Sequence, residues 1–315
     1  MNENMYAAIT GIPAGFKAFV GAMQERLEAR YPDCEVRAVQ TDKNNGVRLT
    51  GIVIMQDGEN VTPNIYMEGF YREYLDGRRM EDIEADAARL YEGCRIKGGL
   101  SLPDMTDFEA VRGLICFKPV NRERNREKLK SMPHRDFLDL AIVYFVPVTI
   151  GGEKSGTITV TDHMFRLWQT DEETLYGYAL ENTRRLYPVI LQSLEDVIRD
   201  VMGDDAPEGL FPERDGIPAV PLYVLRCNKG DMSSAAAILY GDILREFGQE
   251  HGNFYILPSS IYEVLLTPAG PGPADGRYMC GMVRAANTEQ VLPDEVLSDN
   301  AYYYHADTGE IEILS

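Results

Sequence analysis

The spacing of apolar residues predicts an amphipathic helix and then a β-hairpin near the start of the chain. Residues 16, 19, 20, 23 and 27 are apolar and recur at helical spacing, and the helix should end near Tyr31-Pro32. Cys34–Thr41 and Val47–Met55 alternate like strands, and Asn45-Gly46 between them suits a tight turn with positive φ angles. The pattern continues with a strand at 62–67 and helices at 69–77 and 83–94.

The second half of the chain mixes strand-like and helical segments. Residues 113–120 and the apolar run 138–148 have strand character, and the second run should pair with GTITV at 156–160. Helices are expected at 162–168, 172–186, 189–201, 232–248 and 278–286. Strands are expected at 221–227, 253–257 and 262–267, and a hairpin with its turn at Asp307–Gly309 closes the chain.

These elements predict an α+β fold of two mixed halves, each an antiparallel-rich sheet covered by amphipathic helices. The first half spans 1–120 with the order αββ(β)αα, and the second spans 137–315. NRERNREKLK begins a basic connector at 121–136, and residues 203–221, rich in Gly, Pro and acidic residues, form a loop.

The net charge of the chain bears on whether it binds nucleic acid directly. The chain has 31 Lys and Arg against 50 Asp and Glu, a net charge of −19. Proteins that bind nucleic acid directly need basic surface, so we expect no such contact. An alternative is an acidic DNA mimic that occupies a DNA-binding partner. We find neither a signal-peptide pattern nor an apolar run long enough to span a membrane, which predicts a cytoplasmic protein without a membrane partner.

Sequence motifs predict no catalytic residue, metal site or cofactor. The five cysteines form no CxxC pair, and the four histidines form none of the spacings typical of a zinc helix. The glycines fit neither phosphate-binding loop pattern. His134, Arg135 and Asp136 could form an acid/base cluster, but a turn before a buried strand is the favoured interpretation.

The stretch LPSSIYEVLLTP at 257–268 combines hydroxyl groups with a carboxylate between apolar residues. A serine nucleophile on a sharp turn needs small neighbours, which Pro258 and Ile261 are not. A capped helix has too little room before Pro268. We therefore expect a strand, a bend at 258–260 and a second strand, with ligand-binding candidates at the bend: Ser259, Ser260, Tyr262 and Glu263.

Two further ligand-binding candidates are Asn182 and Glu68. Asn182 lies on the apolar stripe of its helix, where a buried amide must find partners. Glu68 follows a strand and lies near Tyr66 and Tyr71, either as a pocket acid or as a rim charge. We expect Asn182 to contact the LPSS bend and to form a polar concavity with it.

Several blocks resemble a family of uncharacterised bacterial proteins, a domain of unknown function frequent in anaerobic Firmicutes and sometimes encoded on mobile elements. The blocks are NNGVRLTGIVI, TPNIYMEGFYREYLDG, ITVTDHMFRLW, ALENTRRLYP, SSAAAILYGDILREF, FYILPSSIYEVLLTP and VLSDNAYYYHADTGEI. The family commonly has histidine where this chain has Tyr262, and a phenol does not replace an imidazole in acid/base chemistry near neutral pH. The resemblance implies no particular activity.

The most direct functional hypothesis is a non-catalytic binding or interaction protein whose partner is an unknown protein or small-molecule ligand. An enzyme with a pocket centred on a carboxylate or an asparagine is the first alternative. The DNA mimic or anti-defence protein is the second.

Overall fold

The computed structural model describes residues 14–58, 61–95, 102–150, 154–203, 221–227, 234–270 and 276–314. The chain divides into two compact units. The first contains residues up to 103 together with 148–156, and the second contains 104–147 and 157–315.

This division differs from the predicted boundaries at 120 and 136. The strand at Cys116–Asn121 pairs with a strand at Leu140–Ile150, so the basic segment 121–136 lies within the second unit.

The first unit has a three-stranded antiparallel sheet in the order β1-β2-β3. Its elements in chain order are α1 (Ala14–Arg30), β1 (Cys34–Asp42), β2 (Arg48–Gln56), β3 (Asn64–Tyr66), α2 (Met67–Leu75) and α3 (Met80–Cys94). The predicted stripe of α1 is buried in one core with the inward residues of β2 and with α3. The predicted hairpin turn is confirmed, with φ of 58° at Asn45 and 70° at Gly46.

The second unit contains two antiparallel sheets. A four-stranded sheet has the order β4-β6-β5, with β7 also paired to β6, and a six-stranded sheet has the order β13-β12-β10-β11-β9-β8. The first group of elements is α4 (Phe108–Val111), β4 (Cys116–Asn121), α5 (Arg126–Leu129), β5 (His134–Phe137), β6 (Leu140–Ile150), β7 (Lys154–Thr159), α6 (Asp162–Trp168) and α7 (Glu172–Leu186). The second group is β8 (Val189–Ser193), α8 (Leu194–Met202), β9 (Tyr223–Cys227), a 3-10 helix (Ser234–Leu239), α9 (Gly241–His251), β10 (Phe254–Leu257), β11 (Val264–Pro268), α10 (Gly276–Glu289), β12 (Tyr302–Tyr304) and β13 (Ile311–Ile313).

The predicted α+β class is confirmed by these antiparallel sheets and their helices. Two helices, α6 and α7, begin where the sequence predicts, and each has a side-chain cap at its start. Thr161 accepts a hydrogen bond from the backbone of Met164, and Asp171 accepts one from Thr174. The main core of the second unit lies between α7, α9 and the inward faces of both sheets.

Two predicted helices are wrong in part. Val189–Ser193 forms β8, and a helix begins only at Leu194, where Ser193 accepts a hydrogen bond from the backbone of Asp196. Branched residues after Pro188 favour a strand there. The predicted helix at 232–248 is a 3-10 helix followed by α9, because the chain changes direction at Tyr240 before Gly241. Its predicted start and residues 204–220 of the predicted loop lie outside the described residues.

Candidate functional site

A cavity of ≈ 290 Å³ lies in the second unit, where the end of β5, the start of α9 and the β12–β13 hairpin meet. Its apolar lining includes Phe137, Ile238, Leu244, Tyr304 and Ile311. Ile238, Leu244 and Tyr304 are almost fully buried and belong to the main core. The apolar part of the cavity is therefore a fixed surface.

Two charged side chains lie on the wall of this cavity, Arg245 from α9 and Asp307 from the β12–β13 turn. Both are exposed. Within the part of the chain that the structure describes, neither takes part in an ion pair or a side-chain hydrogen bond. The cavity thus combines an apolar surface with one uncommitted cation and one uncommitted anion.

Local structure explains where these two charges are held. Leu244 and Phe247 bury one side of α9, so Arg245 is carried at the edge of the buried stripe. In the turn, the Gly309 backbone has φ of 74° and its N–H donates to the carbonyl of His305 at 2.7 Å. This closes a tight hairpin and leaves Asp307 at its tip.

A hydrogen-bond network around Asp139 supports the cavity wall. Ser298 Oγ donates to Asp139 Oδ2 at 2.7 Å, and Asn300 Nδ2 donates to the same oxygen at 3.0 Å. The Tyr302 hydroxyl donates to Asp139 Oδ1. Burial and, secondly, the nearby Asp139 carboxylate raise the pKa of Tyr302, so this hydroxyl stays a donor. Tyr304 lies two residues further along the same strand and lines the cavity.

The turn that carries Asp139 is strained. β5 and β6 are joined by Leu138 and Asp139 alone, because Phe137 pairs with Leu140. Leu138 has φ of 55°, a conformation that costs a branched residue free energy and that glycine adopts without a steric penalty. Leu138 nevertheless packs against the main core. The Asp139 network holds this turn and thereby places Phe137 in the cavity wall.

The LPSS bend lies beside the same network. The predicted order of strand, bend and strand is confirmed, with β10 ending at Leu257 and β11 beginning at Val264. Backbone hydrogen bonds connect the bend to the segment before β12. Ser298 N–H donates to the Pro258 carbonyl at 2.9 Å, and Leu297 N–H donates to the Ser259 carbonyl at 3.1 Å. The bend therefore fixes the position of Ser298.

The four ligand-binding candidates at the bend differ in their hydrogen bonds and in their exposure. Ser260 Oγ accepts from the Tyr262 N–H at 3.1 Å, and the Tyr262 hydroxyl donates to Glu295 Oε1 at 3.0 Å. Ser259 is partly buried, and Glu263 is exposed. None of the four is among the residues that line the cavity. As ligand-binding residues they stay predictions.

Asn182 is buried as predicted, but its expected contact with the LPSS bend is wrong. Asn182 Nδ2 donates to the carbonyls of Arg112 at 2.7 Å and Ile115 at 3.0 Å, and Oδ1 accepts from Arg185 at 3.1 Å. Both amide hydrogens are used by the segment between α4 and β4. This segment leads into β4, and α7 packs against β4.

In the first unit, Glu68 lies at the start of α2, where strand pairing ends. Its Oε1 accepts from the Thr50 N–H at 2.6 Å, and Oε2 is buried without a hydrogen-bond partner among the described residues. Burial raises the pKa of Glu68, although the Thr50 N–H and the charge of Arg72 act in the opposite direction. Glu68 thus continues the hydrogen bonding of β2 beyond the end of β3.

The residues 134–136 do not form an acid/base cluster. They lie in β5, where successive side chains point to opposite faces. Arg135 pairs with Glu172 of α7 at 2.6 Å, whereas Asp136 pairs with Arg122 at 3.0 Å. His134 Nδ1 contacts the Met132 carbonyl at 3.0 Å.

Sequence reasoning misses both charged residues of the cavity. The sequence offers one signal for Arg245, which stands next to an apolar stripe residue in a helix otherwise rich in acidic residues. Asp307 falls in the predicted hairpin turn, but nothing local relates that turn to α9.

The described residues contain no group of three or more His, Cys, Asp or Glu side chains that could hold a metal ion. Among the helices that the structure describes, none combines the length and the apolar character needed to cross a membrane.

Comparison with protein-family models matches residues 16–306 to DUF5688, a family of unknown function. The chain belongs to the DUF5688 family. The match covers both units and includes the bend, the Asp139 network and Arg245, and it ends one residue before Asp307. Searches of curated proteins and of solved structures returned no match. Membership of DUF5688 therefore assigns no activity.

Proposed function

We propose that this protein binds a small molecule in the cavity between β5, α9 and the β12–β13 hairpin. The ligand class is an apolar molecule that carries both a carboxylate and an ammonium group, as an apolar amino acid does. The uncommitted pair of charges on the wall of a cavity that also offers apolar side chains carries this proposal.

Arg245 suits the carboxylate because a guanidinium presents its donors in a planar fork that matches two carboxylate oxygens. Asp307 suits the ammonium group, which supplies hydrogen-bond donors and positive charge. A ligand with only one charge would leave one of these groups without a partner.

The size and lining of the cavity fit a ligand of this kind. A volume of ≈ 290 Å³ is at the small end for ligand pockets. The side chains of Leu244, Tyr304 and Ile311 offer apolar contact for the body of the ligand. Burial of these apolar groups favours binding, and the two charges add affinity and fix the orientation of the ligand.

Binding is a better hypothesis than catalysis for the residues that suggested an enzyme. Asn182 has its donors engaged by backbone carbonyls, and Glu68 accepts from a backbone N–H. The alternative of an acidic DNA mimic stays a prediction that rests on net charge. We propose the cytoplasm as the location of the protein.

Isothermal titration calorimetry tests the proposal with L-leucine and two analogues that each lack one charge. The analogue 4-methylpentanoate lacks the ammonium group, and leucinamide lacks the carboxylate. We expect leucine to bind more tightly than either analogue by about tenfold, because a hydrogen bond between charged groups contributes about 1.5–3 kcal/mol. The remaining apolar amino acids are titrated in the same way to find the best fit.

Variants connect the binding to the cavity. Arg245→Gln should weaken the binding of leucine and of 4-methylpentanoate and leave the binding of leucinamide unchanged, and Asp307→Asn should give the reverse pattern. Glu246→Gln is the matched control, since Glu246 is the next residue of α9 and does not line the cavity. Equal affinity for all three compounds, or unchanged binding in both cavity variants, contradicts the proposal.

A further inference from the structure

The helix α9 lies close against the β12–β13 hairpin at one position and leaves space at another. At Gly248, an added Cβ atom would lie 3.1 Å from the Tyr304 ring and 3.3 Å from the Ala306 side chain. At Gly241, about two turns earlier in the helix, an added Cβ would meet no atom of the described residues within 4 Å. Helix and hairpin are therefore tightly packed at Gly248 and separate towards the start of α9, where the cavity lies.

Helical spacing places Gly241 on the side of α9 that faces the cavity. Residues 241, 244, 245 and 248 are three, four and seven positions apart, so they share one side of the helix. Leu244 and Arg245 line the cavity, as Gly241 itself does. Side chains on a helix lean towards its N-terminus, so a side chain at 241 would extend towards Leu239, which also lines the cavity.

The backbone of α9 does not require glycine at position 241. Gly309 in the hairpin turn has φ of 74°, which glycine adopts most readily, and Gly248 allows close packing. Gly241 has no positive φ, and the change of direction before α9 is made at Tyr240, with φ of −94° and ψ of 85°. Glycine also weakens a helix relative to alanine. What glycine provides at position 241 is space beside the cavity wall.

We propose that Gly241 determines the largest ligand that the cavity accepts. This inference rests on the proposed binding of apolar amino acids in the same cavity. Because no side chain stands at 241, the space beside Leu244 and Leu239 admits an apolar group of about the size of the leucine side chain. Bulky apolar amino acids are therefore the favoured ligand class, since each additional buried carbon adds affinity. A larger residue at 241 would occupy this space and exclude them.

A comparison of stability without ligand tests where a side chain at this position lies. Gly241→Ala and Gly241→Leu are compared with the same substitutions at Gly177, an exposed glycine of α7 where an added Cβ also meets no atom of the described residues within 4 Å. Leucine has no higher helix propensity than alanine, so Gly177→Leu should melt no higher than Gly177→Ala.

At position 241 we expect the opposite order of the two variants. Gly241→Leu should melt about 2–4 °C above Gly241→Ala, because leucine fills part of the cavity and buries apolar surface there. The same order of alanine and leucine at 241 as at 177 would show that a side chain at 241 points into solvent, and it overturns the proposal.

Isothermal titration calorimetry tests the effect on ligand size. The ligands are L-leucine and L-2-aminobutyrate, whose side chain is shorter by two carbons. In Gly241→Ala we expect the affinity for leucine to fall by about fourfold relative to that for 2-aminobutyrate, since one buried CH₂ group contributes about this factor. The ratio should fall further in Gly241→Leu and stay unchanged in Gly177→Leu. A ratio that is unchanged in both variants at position 241 overturns the proposal.

These measurements separate the role of Gly241 from the proposed function. If the wild type binds no apolar amino acid, the proposed function fails, and the role of Gly241 in ligand size fails with it. If the wild type binds leucine and both variants at position 241 bind it with unchanged affinity, the proposed function stands and only the role of Gly241 is overturned.

Discussion

The side-chain hydroxyl of Tyr302 donates a hydrogen bond to the carboxylate of Asp139, 163 positions earlier in the chain. This contact joins β12 of the six-stranded sheet to the strained turn between β5 and β6. Phe137 and Tyr304 each lie two residues from one of the bonded residues and line the cavity, so the hydrogen bond links two elements of the cavity wall.

Tyr302→Phe should destabilise the second unit by about 1–3 kcal/mol, because one oxygen of the partly buried Asp139 loses its donor. Chemical unfolding followed by the fluorescence of Trp168, the one tryptophan of the chain, measures this change. Tyr303→Phe is the control, since Tyr303 points to the opposite face of β12 and its hydroxyl has no hydrogen bond within the described residues. Equal stability of the two variants would contradict this role.

Asn182→Leu should also destabilise the second unit by about 1–3 kcal/mol. The leucine leaves the carbonyls of Arg112 and Ile115 without donors in the interior. Glu181→Gln changes the adjacent exposed residue of α7 and should have little effect. If Asn182→Leu unfolds at the same denaturant concentration as Glu181→Gln, the amide contacts do not contribute to stability.

The sequence reports local structure well because local structure depends on nearby residues. Asn45-Gly46 tolerates positive φ angles, and Asp171 supplies a side-chain acceptor at a helix start, so both features can be predicted from a few neighbouring letters. The burial of Asn182 follows from its place on an apolar stripe for the same reason.

Features that depend on distant residues could not be predicted in this way. Leu138 has a positive φ in a two-residue turn that glycine would favour, and its neighbour Asp139 bonds to β12 far along the chain. Arg245 and Asp307 come together only through the pairing of strands and the packing of α9. The partner of Asn182 depends on distant residues in the same way, since the sequence identifies a buried amide without identifying the carbonyls beside it.

Gly51→Ala should destabilise the first unit by about 1–3 kcal/mol, because a Cβ atom there would lie 1.7 Å from Asn64 Oδ1. Asn64 cannot move away without losing its hydrogen bond to Thr41 at 2.8 Å.

Gly21→Ala in α1 is the matched control. A Cβ at Gly21 meets no atom within 4 Å, so alanine should stabilise the helix by about 0.5–1 kcal/mol. Thermal unfolding followed by circular dichroism separates the two outcomes, and a neutral Gly51→Ala would show that β2 and β3 can move apart.

The buried carboxyl group of Glu68 should make the stability of the first unit depend on pH. Its pKa is raised in the folded state by burial, so the folded chain holds this proton more tightly than the unfolded chain does. The stability from this group is fully present below the ordinary carboxyl pKa and is lost as pH rises through the raised value. Glu68→Gln keeps an acceptor for the Thr50 N–H and carries no charge at any pH. The free energies of unfolding of Glu68→Gln and the wild type should therefore be equal at about pH 4. As pH approaches neutrality, the variant should become the more stable of the two. Glu68→Ala removes the acceptor and should be less stable than Glu68→Gln across the whole range.

Free energies of unfolding from urea titrations at several pH values test this, and parallel profiles for the wild type and Glu68→Gln would show that folding leaves the ionisation of Glu68 unchanged.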